Sequence, residues 1–430
     1  MGVVLAALVA TLHPVANANP RPPVSISPLG DGFDFGVSTS GFQSEGYNRD
    51  SNWLRYSNTG RTHDRVGNAV DFFHKYEEDI ARAKSLGVSI YRTSVEWSRV
   101  QPTPGAFDPA GWAFYDRVVK AIVAAGMTPM ITLNHWVHPG WEVDRGGWNR
   151  PGMADDLVVF ARAAIDRYKW ADPMWITFNE PTEYVRRELM YGGISLANVP
   201  AMADGIVRAH REIYRHAHAV QPGAEVSSNL AFLPIPGVQG ATEAVFQKRM
   251  KGAMDFVGVD HYYSLSINDA SVANGATDSF YKASQAPESI YYVLRYIAGQ
   301  FPGLPIRIVE NGLATNRTQP RPDGYTRGDH LRDTVYWIQR AAQDGIPVVS
   351  YNYWSLTDNY EWGSYASQFG LYSVNVKDPA LPRVPTDAVE AYRRITSTGG
   401  VPTDYRPTRE PVPCSLVAVP DSCTNPVTAR

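Results

Sequence analysis

The chain has 430 residues, enough for one large barrel or for two to three ordinary domains. Hydrophobic residues make up 44% of the chain, which excludes an intrinsically disordered protein. The net charge is −3 and the charged residues are scattered, so the composition favours neither a nucleic acid nor an anionic membrane surface as a partner. The 11 Trp and 24 Tyr suit a large core, and their flat rings also suit sugars.

The first residues resemble part of a signal peptide. Residues 2–10 are apolar and are followed by the small-x-small triplet Ala16-Asn17-Ala18. The run is too short for the roughly 20 residues of a membrane span, so no integral membrane segment is predicted. No Lys or Arg precedes the run, and a buried N-terminal strand is the alternative. We predict a signal peptide and Pro-rich lead-in over residues 1–28 and a secreted or cell-envelope protein.

Apolar strands then alternate with amphipathic helices. Strands are predicted at 33–38, 89–94, 128–134, 174–178, 225–230, 256–261, 305–310 and 347–353, and helices over 71–86, 111–125, from 151 onward, and over 201–219, 242–252, 287–299, 328–343 and 386–395. Eight consecutive strand–helix units predict an α/β fold, a single (β/α)8 TIM barrel over residues 29–400. An open doubly wound sheet is the alternative, but no Gly-rich phosphate loop follows any strand.

Two of the predicted strands end in a glutamate. The strand at 174–178 runs into Asn179, Glu180 and Pro181, and proline ends a strand because it has no N–H to donate. The strand at 305–310 ends in Glu310. Chemistry in α/β barrels takes place at the carboxyl ends of the strands. We therefore predict a carboxylate pair, against the alternative that both are ordinary surface acids.

Other strand ends carry polar and aromatic side chains that the barrel is predicted to bring together. They are Gln43, Arg92, His135, Trp136, Tyr262, Trp354, Glu361 and Trp362.

Except for Tyr262, these residues lie in six motifs, in the order 33–46, 91–99, 134–136, 177–181, 309–312 and 353–362. With these motifs the chain resembles glycoside hydrolase family 1, the β-glucosidase family of retaining (β/α)8 enzymes. The resemblance covers roughly residues 33–396. It implies that Glu180 is the acid/base and Glu310 the nucleophile of a double displacement between carboxyl groups about 5–5.5 Å apart.

The resemblance and the chemistry together predict the surroundings of the pair. Glu310 must stay ionised, so Arg92 is expected beside it and Tyr262 is expected to donate a hydrogen bond to it. Glu180 must keep its proton near neutral pH, which burial and the charge of Glu310 would favour. No metal or cofactor is called for.

The resemblance also implies a sugar-binding set. Gln43, His135, Trp136, Asn179, Glu361 and Trp362 match family residues that hydrogen-bond the terminal sugar, and Trp354 matches the ring beneath it. The carboxylate of Glu361 would repel a phosphorylated sugar. Purely structural roles remain the alternative for Gln43, Arg92, His135 and Trp354. Structural roles are the expectation for Glu45, Asp358 and Asn359.

The chain departs from the family pattern in several places. The segments after Glu180 and Phe232 are short, and residues 363–368 lack a basic residue that is often present. These differences predict an open aglycone side. Asp260-His261-Tyr262-Tyr263 replaces the more usual Asn-Tyr-Tyr. Residues 401–430 form a Pro-rich tail, in which Cys414 and Cys423 would pair in an exported protein.

The predicted function is that of a retaining β-glycosidase acting on terminal non-reducing β-D-glucosides, with β-galactosides and β-fucosides as further candidates. Its expected partner is a small-molecule glycoside. One alternative is an endo-acting barrel glycanase with an open cleft. The other is a sugar-binding homologue without catalysis.

Overall fold

The computed structural model describes residues 25–235, 237–266, 279–317 and 319–429. The predicted signal peptide lies outside these residues. Among the helices of the described ranges, none combines the length and the apolar character needed to cross a membrane.

The described strands are short and mostly buried. They are β1 (Asp34–Ser38), β2 (Ile90–Ser94), β3 (Thr128–Thr132), β4 (Met174–Ile176), β5 (Glu225–Ser227), β6 (Asn229–Ala231), β7 (Val257–Asp260), β8 (Ile306–Asn311), β9 (Thr315–Asn316), β10 (Val348–Trp354), β11 (Ser367–Gln368), β12 (Tyr372–Val374) and β13 (Arg383–Pro385).

Nine of these strands form one parallel sheet in the order β5-β4-β3-β2-β1-β10-β8-β7-β6. The two ends of this sheet, β5 and β6, are halves of one strand interrupted at Ser228. The first half pairs with β4 and the second with β7, so the sheet forms a nearly closed barrel. The Ser228 hydroxyl donates to the carbonyl oxygen of Phe178 at 2.8 Å across the interruption. The barrel prediction is confirmed, and the alternative of an open doubly wound sheet is wrong.

The helices that follow the strands cover the outside of the barrel. The main ones are Phe72–Ser85, Pro109–Ala124, Met153–Tyr168, Val199–Val220, Val238–Val245, Gln247–Met250, Ser289–Gln300, Arg327–Gln343 and Asp387–Thr398. The helix predicted over 242–252 is thus two shorter ones. Short helices at Gly41–Ser44, Asn52–Asn58, Trp97–Val100 and Gly140–Asp144 lie in the connections, and another at Asp421–Thr424 lies in the C-terminal tail.

One helix, Pro181–Tyr191, was not predicted from the sequence. Pro181 ends β4 but is also suited to the first position of a helix, where its fixed φ fits and its missing N–H is not needed. Gly192 ends the helix in the left-handed conformation, at φ 73°. This helix starts directly at Glu180 and so fixes the direction in which the chain leaves that residue.

Side chains alternate across each strand, and this decides which of them enter the barrel. Ile90 of β2 lies in a small buried cluster with Met130 and Phe256, whereas Tyr91 lies in the larger core. Because residues i and i+2 of a strand face the same side, Arg92 points inward as Ile90 does.

Strand β8 breaks this alternation. Val309 belongs to the inner cluster, so strict alternation would send Glu310 to the outer face. The pairing with β7 shifts register at this point, since Val259 pairs with Ile308 and Asp260 with Glu310. A β-bulge of this kind re-aims the side chains that follow it. Glu310 therefore also points into the barrel.

The tail over residues 401–429 runs along the outer helices. The Tyr405 hydroxyl donates to Asp333 Oδ1 at 2.7 Å, and the Val412 N–H donates to Glu288 Oε1 at 2.9 Å. The Leu416 N–H donates to the carbonyl oxygen of Leu265 at 2.8 Å, in the segment that follows β7. Cys414 and Cys423 form a disulfide.

Candidate active site

Two buried carboxyl groups lie at the carboxyl ends of β4 and β8. Glu180 is 8% exposed and Glu310 is 4% exposed. One oxygen from each lies within 4.8 Å of the other, and an oxygen of Asp260 lies within the same distance of both. Strand ends that are far apart in the sequence thus bring three carboxyl groups to one point.

Glu310 is held by a cation and a phenol. Arg92 donates from Nη1 to Glu310 Oε1, and the Tyr262 hydroxyl donates to Oε2 at 2.7 Å. Arg92 is fully buried, so its charge is not screened by water. Burial and the charge of Glu310 raise the pKa of Tyr262 well above its usual value, which keeps the phenol protonated as a donor. Both groups donate to the Glu310 carboxyl group and fix its orientation.

Glu180 has the opposite environment. Burial raises its pKa well above the usual value, and the charges of Glu310 and Glu183 act in the same direction, while Arg92 and the contact with Asp260 oppose them. The net effect favours the protonated form of Glu180. Its backbone adopts the left-handed conformation, with φ 38°, directly before the helix that begins at Pro181.

Asn179 precedes Glu180 in the chain and contacts Arg92. Its Oδ1 accepts a hydrogen bond from Arg92 Nη2 at 2.6 Å and a second one from Asn229 Nδ2 at 2.7 Å. Both neighbours can only donate through these atoms, so the orientation of the Asn179 amide is determined. Its Nδ2 is buried without a hydrogen-bond partner among the described residues. That amide is a free donor beside the two glutamates.

Sequence reasoning missed Asn229, which lies in the second half of the interrupted strand. Asn229 could have been found as a polar residue near the end of the predicted strand at 225–230. No site residue was predicted from that strand. Asp260 was noted only as a departure from the family pattern.

Hydrogen-bond donors surround the carboxyl group of Glu361. Trp354 Nε1 donates to its Oε1 at 2.9 Å, and Gln43 Nε2 lies 3.4 Å from its Oε2. Ser40 orients the Gln43 amide by donating to Oε1 at 2.6 Å. Burial raises the pKa of Glu361 to about 8, with the charge of Glu310 adding to the effect.

Aromatic rings complete the wall of the site. The Trp362 ring lies 4.4 Å from that of Trp136 and 5.5 Å from that of His135, centroid to centroid. His135 also stacks on Trp354 at 6.0 Å. Trp136 Nε1 donates to the carbonyl oxygen of Asn179 at 2.8 Å. Burial and the charge of Arg92 lower the pKa of His135 well below its usual value, so the ring is neutral.

These contacts link all eleven side chains that the sequence analysis assigned to the site. The residues expected to be structural lie outside this set of contacts or brace it. Glu45 pairs with Arg99 at 2.9 Å. Asp358 accepts the backbone N–H groups of Gly370 and Val374 at 2.8 and 3.0 Å, which shapes the loop after β10. Residues 267–278 follow β7 and lie outside the described ranges, so the open aglycone side stays a prediction.

Metal binding has one candidate in the described ranges, the three oxygens of Glu180, Asp260 and Glu310. Arg92 already pairs with Glu310, and its charge opposes a second cation at this point. The donor set therefore fits proton exchange better than metal ligation.

Comparison with known proteins places this arrangement in a family. The model of glycosyl hydrolase family 1 matches residues 26–232 and 237–401. Lactase/phlorizin hydrolase of Rattus norvegicus is 28% identical, with a match that covers 89% of this chain but 24% of the rat protein. The chain therefore spans only about that quarter of the relative's length.

Other relatives match along nearly their whole length. The bifunctional beta-D-glucosidase/beta-D-fucosidase of Bifidobacterium breve is 28% identical, over 85% of this chain and 97% of that protein. Among solved structures, a beta-glucosidase from Thermotoga maritima in complex with deoxynojirimycin aligns with a TM-score of 0.75 and 23% identity. That alignment covers 87% of this chain and 100% of the other, and it shows a shared fold.

Proposed function

The chain belongs to glycosyl hydrolase family 1, and on this basis we propose that it is a retaining β-glycosidase that hydrolyses terminal non-reducing β-D-glucosyl residues by double displacement. The names of its relatives support β-D-glucosides as substrates and β-D-fucosides as a further class. β-Galactosides remain a third candidate from the sequence.

The first step uses the two glutamates in different roles. Glu310 attacks the anomeric carbon while the bond from that carbon to the leaving oxygen breaks, and Glu180 gives its proton to that oxygen. The products are the free aglycone alcohol and a sugar joined to Glu310 by an ester bond. Arg92 and Tyr262 hold the attacking carboxylate in place before this step.

The second step reverses the role of Glu180. Because the ester has no charge, the repulsion that raised the pKa of Glu180 is reduced. Glu180 is now a carboxylate and takes a proton from water, whose oxygen attacks the anomeric carbon as Glu310 leaves. Two inversions at the same carbon give net retention.

The separation of the two carboxyl groups carries this proposal. Retaining enzymes place these groups about 5–5.5 Å apart, and inverting enzymes about 6.5–9.5 Å apart to admit a water molecule. Oxygens of Glu180 and Glu310 within 4.8 Å of each other support the retaining class.

The enclosed wall around Glu361 supports action on a terminal sugar. Gln43, Trp354 and Glu361 are all buried and joined to one another, where an endo-acting glycanase would need an open cleft. The free Nδ2 of Asn179 offers a donor for a sugar hydroxyl close to the reacting bond. Glu361 would repel a phosphorylated sugar where it is ionised, above its pKa of about 8.

A mechanism-based label tests the proposal. Incubation with a 2-deoxy-2-fluoro-β-glucoside carrying an activated leaving group should add one fluoroglucosyl mass to a peptide containing Glu310. The variant Glu310→Gln should take up no label while its circular dichroism spectrum stays unchanged. Lack of label in the unaltered protein would favour the sugar-binding alternative, and release of oligosaccharides from glucans would favour the endo-acting one.

We also propose that the protein is exported. The apolar run at residues 2–10 and the pairing of Cys414 with Cys423 support this, because disulfides persist in oxidising compartments. N-terminal sequencing of the protein from its native host should show a mature start beyond residue 18. An intact residue 1 on the active protein would contradict export through this segment.

A further inference from the structure

Asp260 is a third carboxyl group at the catalytic centre, and the mechanism above gives it no role. It is the last residue of β7 and is 1% exposed. Residues 256, 258 and 260 share the inner face of this strand, so the side chain of Asp260 enters the barrel. One of its oxygens lies within 4.8 Å of oxygens of both Glu180 and Glu310.

Only one of the two Asp260 oxygens is satisfied. Asn229 donates from Nδ2 to Asp260 Oδ2 and uses its other hydrogen for Asn179. Asp260 Oδ1 is buried and has no hydrogen-bond partner among the described residues. An unpartnered buried carboxylate oxygen is costly, whereas a carboxyl group that shares a proton with a neighbour is not.

The charges around Asp260 indicate which neighbouring group shares its proton. Four titratable or charged groups face Asp260, namely Glu180, Glu310, Arg92 and Tyr262. Arg92 pairs with Glu310, and Tyr262 is neutral. Among the described residues, no other cation pairs with Glu180 or Asp260, so the two cannot both ionise in this buried space while Glu310 is charged.

We propose that Asp260 and Glu180 share one proton and that Asp260 thereby acts as a positioning residue for the catalytic acid. This proposal rests on the proposed function and extends it. The shared proton is the one that Glu180 transfers to the leaving oxygen in the first step and recovers from water in the second. Between the two steps Glu310 is an uncharged ester, so the charge of Arg92 is free to balance the second carboxylate. Asp260 gains and loses nothing over the cycle.

The electrostatics of the site agree with this arrangement. Burial, followed by the charges of Glu310 and Glu180, raises the pKa of Asp260 well above its usual value. Two neighbouring carboxyl groups that both resist ionisation titrate as a pair. Because the second ionisation of the pair would place two charges side by side, we expect Glu180 to keep the shared proton up to a higher pH than it would beside an amide.

The variant Asp260→Asn tests the proposal. Asparagine keeps the shape and can still accept from Asn229, but its amide would donate to ionised Glu180 and so lower the pKa of that group. We expect the alkaline limb of the kcat/KM profile for a phenyl β-glucoside to move to lower pH by about one unit or more. The height of the plateau is recorded as a separate readout, because a change in the pKa of Glu180 moves the limb whatever the height of the plateau.

Glu183→Gln is the matched control. Its charge also raises the pKa of Glu180, but its side chain is 18% exposed and pairs with Arg186. Solvent screening should leave this variant with less than about half of the shift seen in Asp260→Asn. Equal shifts in the two variants would show a general charge effect and overturn the proposal.

Two further outcomes would also overturn it. An alkaline limb that does not move would show that Asp260 does not influence Glu180. A lowered plateau with an unmoved limb would show that Asp260 only supports Asn229. If Asp260→Asn does not fold, Asp260→Ala must show the same direction of shift. Labelling of Glu310 in the unaltered protein tests the catalytic function separately, so failure of one proposal is distinguishable from failure of the other.

Discussion

Glu180 and Glu310 are identical side chains that the barrel places in different surroundings. Glu310 contacts a buried guanidinium and a phenol, whereas Glu180 has no cation of its own and lies close to two other carboxyl groups. A reaction that needs one acid and one anion can therefore use two glutamates, because the neighbouring groups and not the residue type determine which of them acts as the acid. Recognising the motifs identifies the two glutamates, but the difference between them follows from contacts across the barrel.

The acid role predicts a dependence on the leaving group. Glu180→Ala should slow the hydrolysis of alkyl and phenyl glucosides by about 10²–10⁴-fold, because their leaving oxygens need a proton. Dinitrophenyl glucosides should lose far less in kcat/KM, since their leaving oxygen is already a weak base. The measurement is kcat/KM for a series of aryl glucosides, with Glu183→Ala as the control. Equal losses in kcat/KM for all leaving groups would contradict the assignment of Glu180 as the acid.

At the scale of the elements, the bulge in β8 decides where the Glu310 side chain points. Alternation along 305–310 would place Val309 inward and Glu310 outward, and no feature of the sequence reveals the register shift. The interruption at Ser228 was also hidden, because the predicted strand at 225–230 reads as continuous. Helix Pro181–Tyr191 was missed because Pro181 was read only as the end of a strand. Strand and helix types could be predicted from periodicity, whereas such local breaks depend on neighbouring strands.

Gly312 shows how closely the strand ends pack. A Cβ at this position would collide with the backbone carbonyl oxygen of Trp354. Gly312→Ala should therefore displace the end of β8 together with Glu310 and lower kcat by about 10²-fold without unfolding the protein. The measurements are steady-state kinetics and circular dichroism.

Gly299→Ala provides the control for that experiment. Gly299 lies in the helix Ser289–Gln300, and nothing lies within 4 Å of a Cβ placed there. This variant should retain full activity and gain up to about 1 kcal/mol in free energy of unfolding, because alanine favours the helix. Full activity of Gly312→Ala would contradict the tight fit at the end of β8.

At the scale of the whole molecule, burial shifts the pKa values of glutamates and histidines in opposite directions. It raises the pKa of several glutamates from 4.5 and lowers that of several histidines from 6.5. The glutamates are Glu188 and Glu288 (about 7) and Glu96 and Glu361 (about 8), and the histidines are His138, His261 and His330 (about 3) and His210 (about 4).

These shifts predict how stability varies with pH. Between pH 4.5 and about 8 the folded protein keeps glutamate protons that the unfolded chain releases, so this contribution falls as pH rises. Below pH 6.5 the unfolded chain binds histidine protons that the folded protein excludes, so this contribution falls as pH falls. Stability should be highest between pH 4.5 and 6.5, where the two contributions oppose each other.

Thermal unfolding from pH 4 to 9 measures this dependence. The midpoint should decrease from about pH 7 to 8, where the histidines are neutral in the folded protein and mostly neutral in the unfolded chain. Glu361→Gln should decrease less over that window, because one of the shifted groups is removed. A midpoint that rises steadily over the same window would contradict the assignment of these carboxyl groups as buried acids.

The left-handed backbone conformation of Glu180 is energetically unfavourable, and the barrel fold itself does not require it. Trp136 and Trp362 adopt similar conformations, with φ 68° and 44°. Such conformations are unfavourable for side chains with a Cβ, by about 1 kcal/mol or more, but not for glycine. Glu180→Gly should consequently melt at a higher temperature than Glu180→Ala, although both lack the acid. Under the proposed function, stability gained by glycine at residue 180 comes with loss of the acid on which turnover depends.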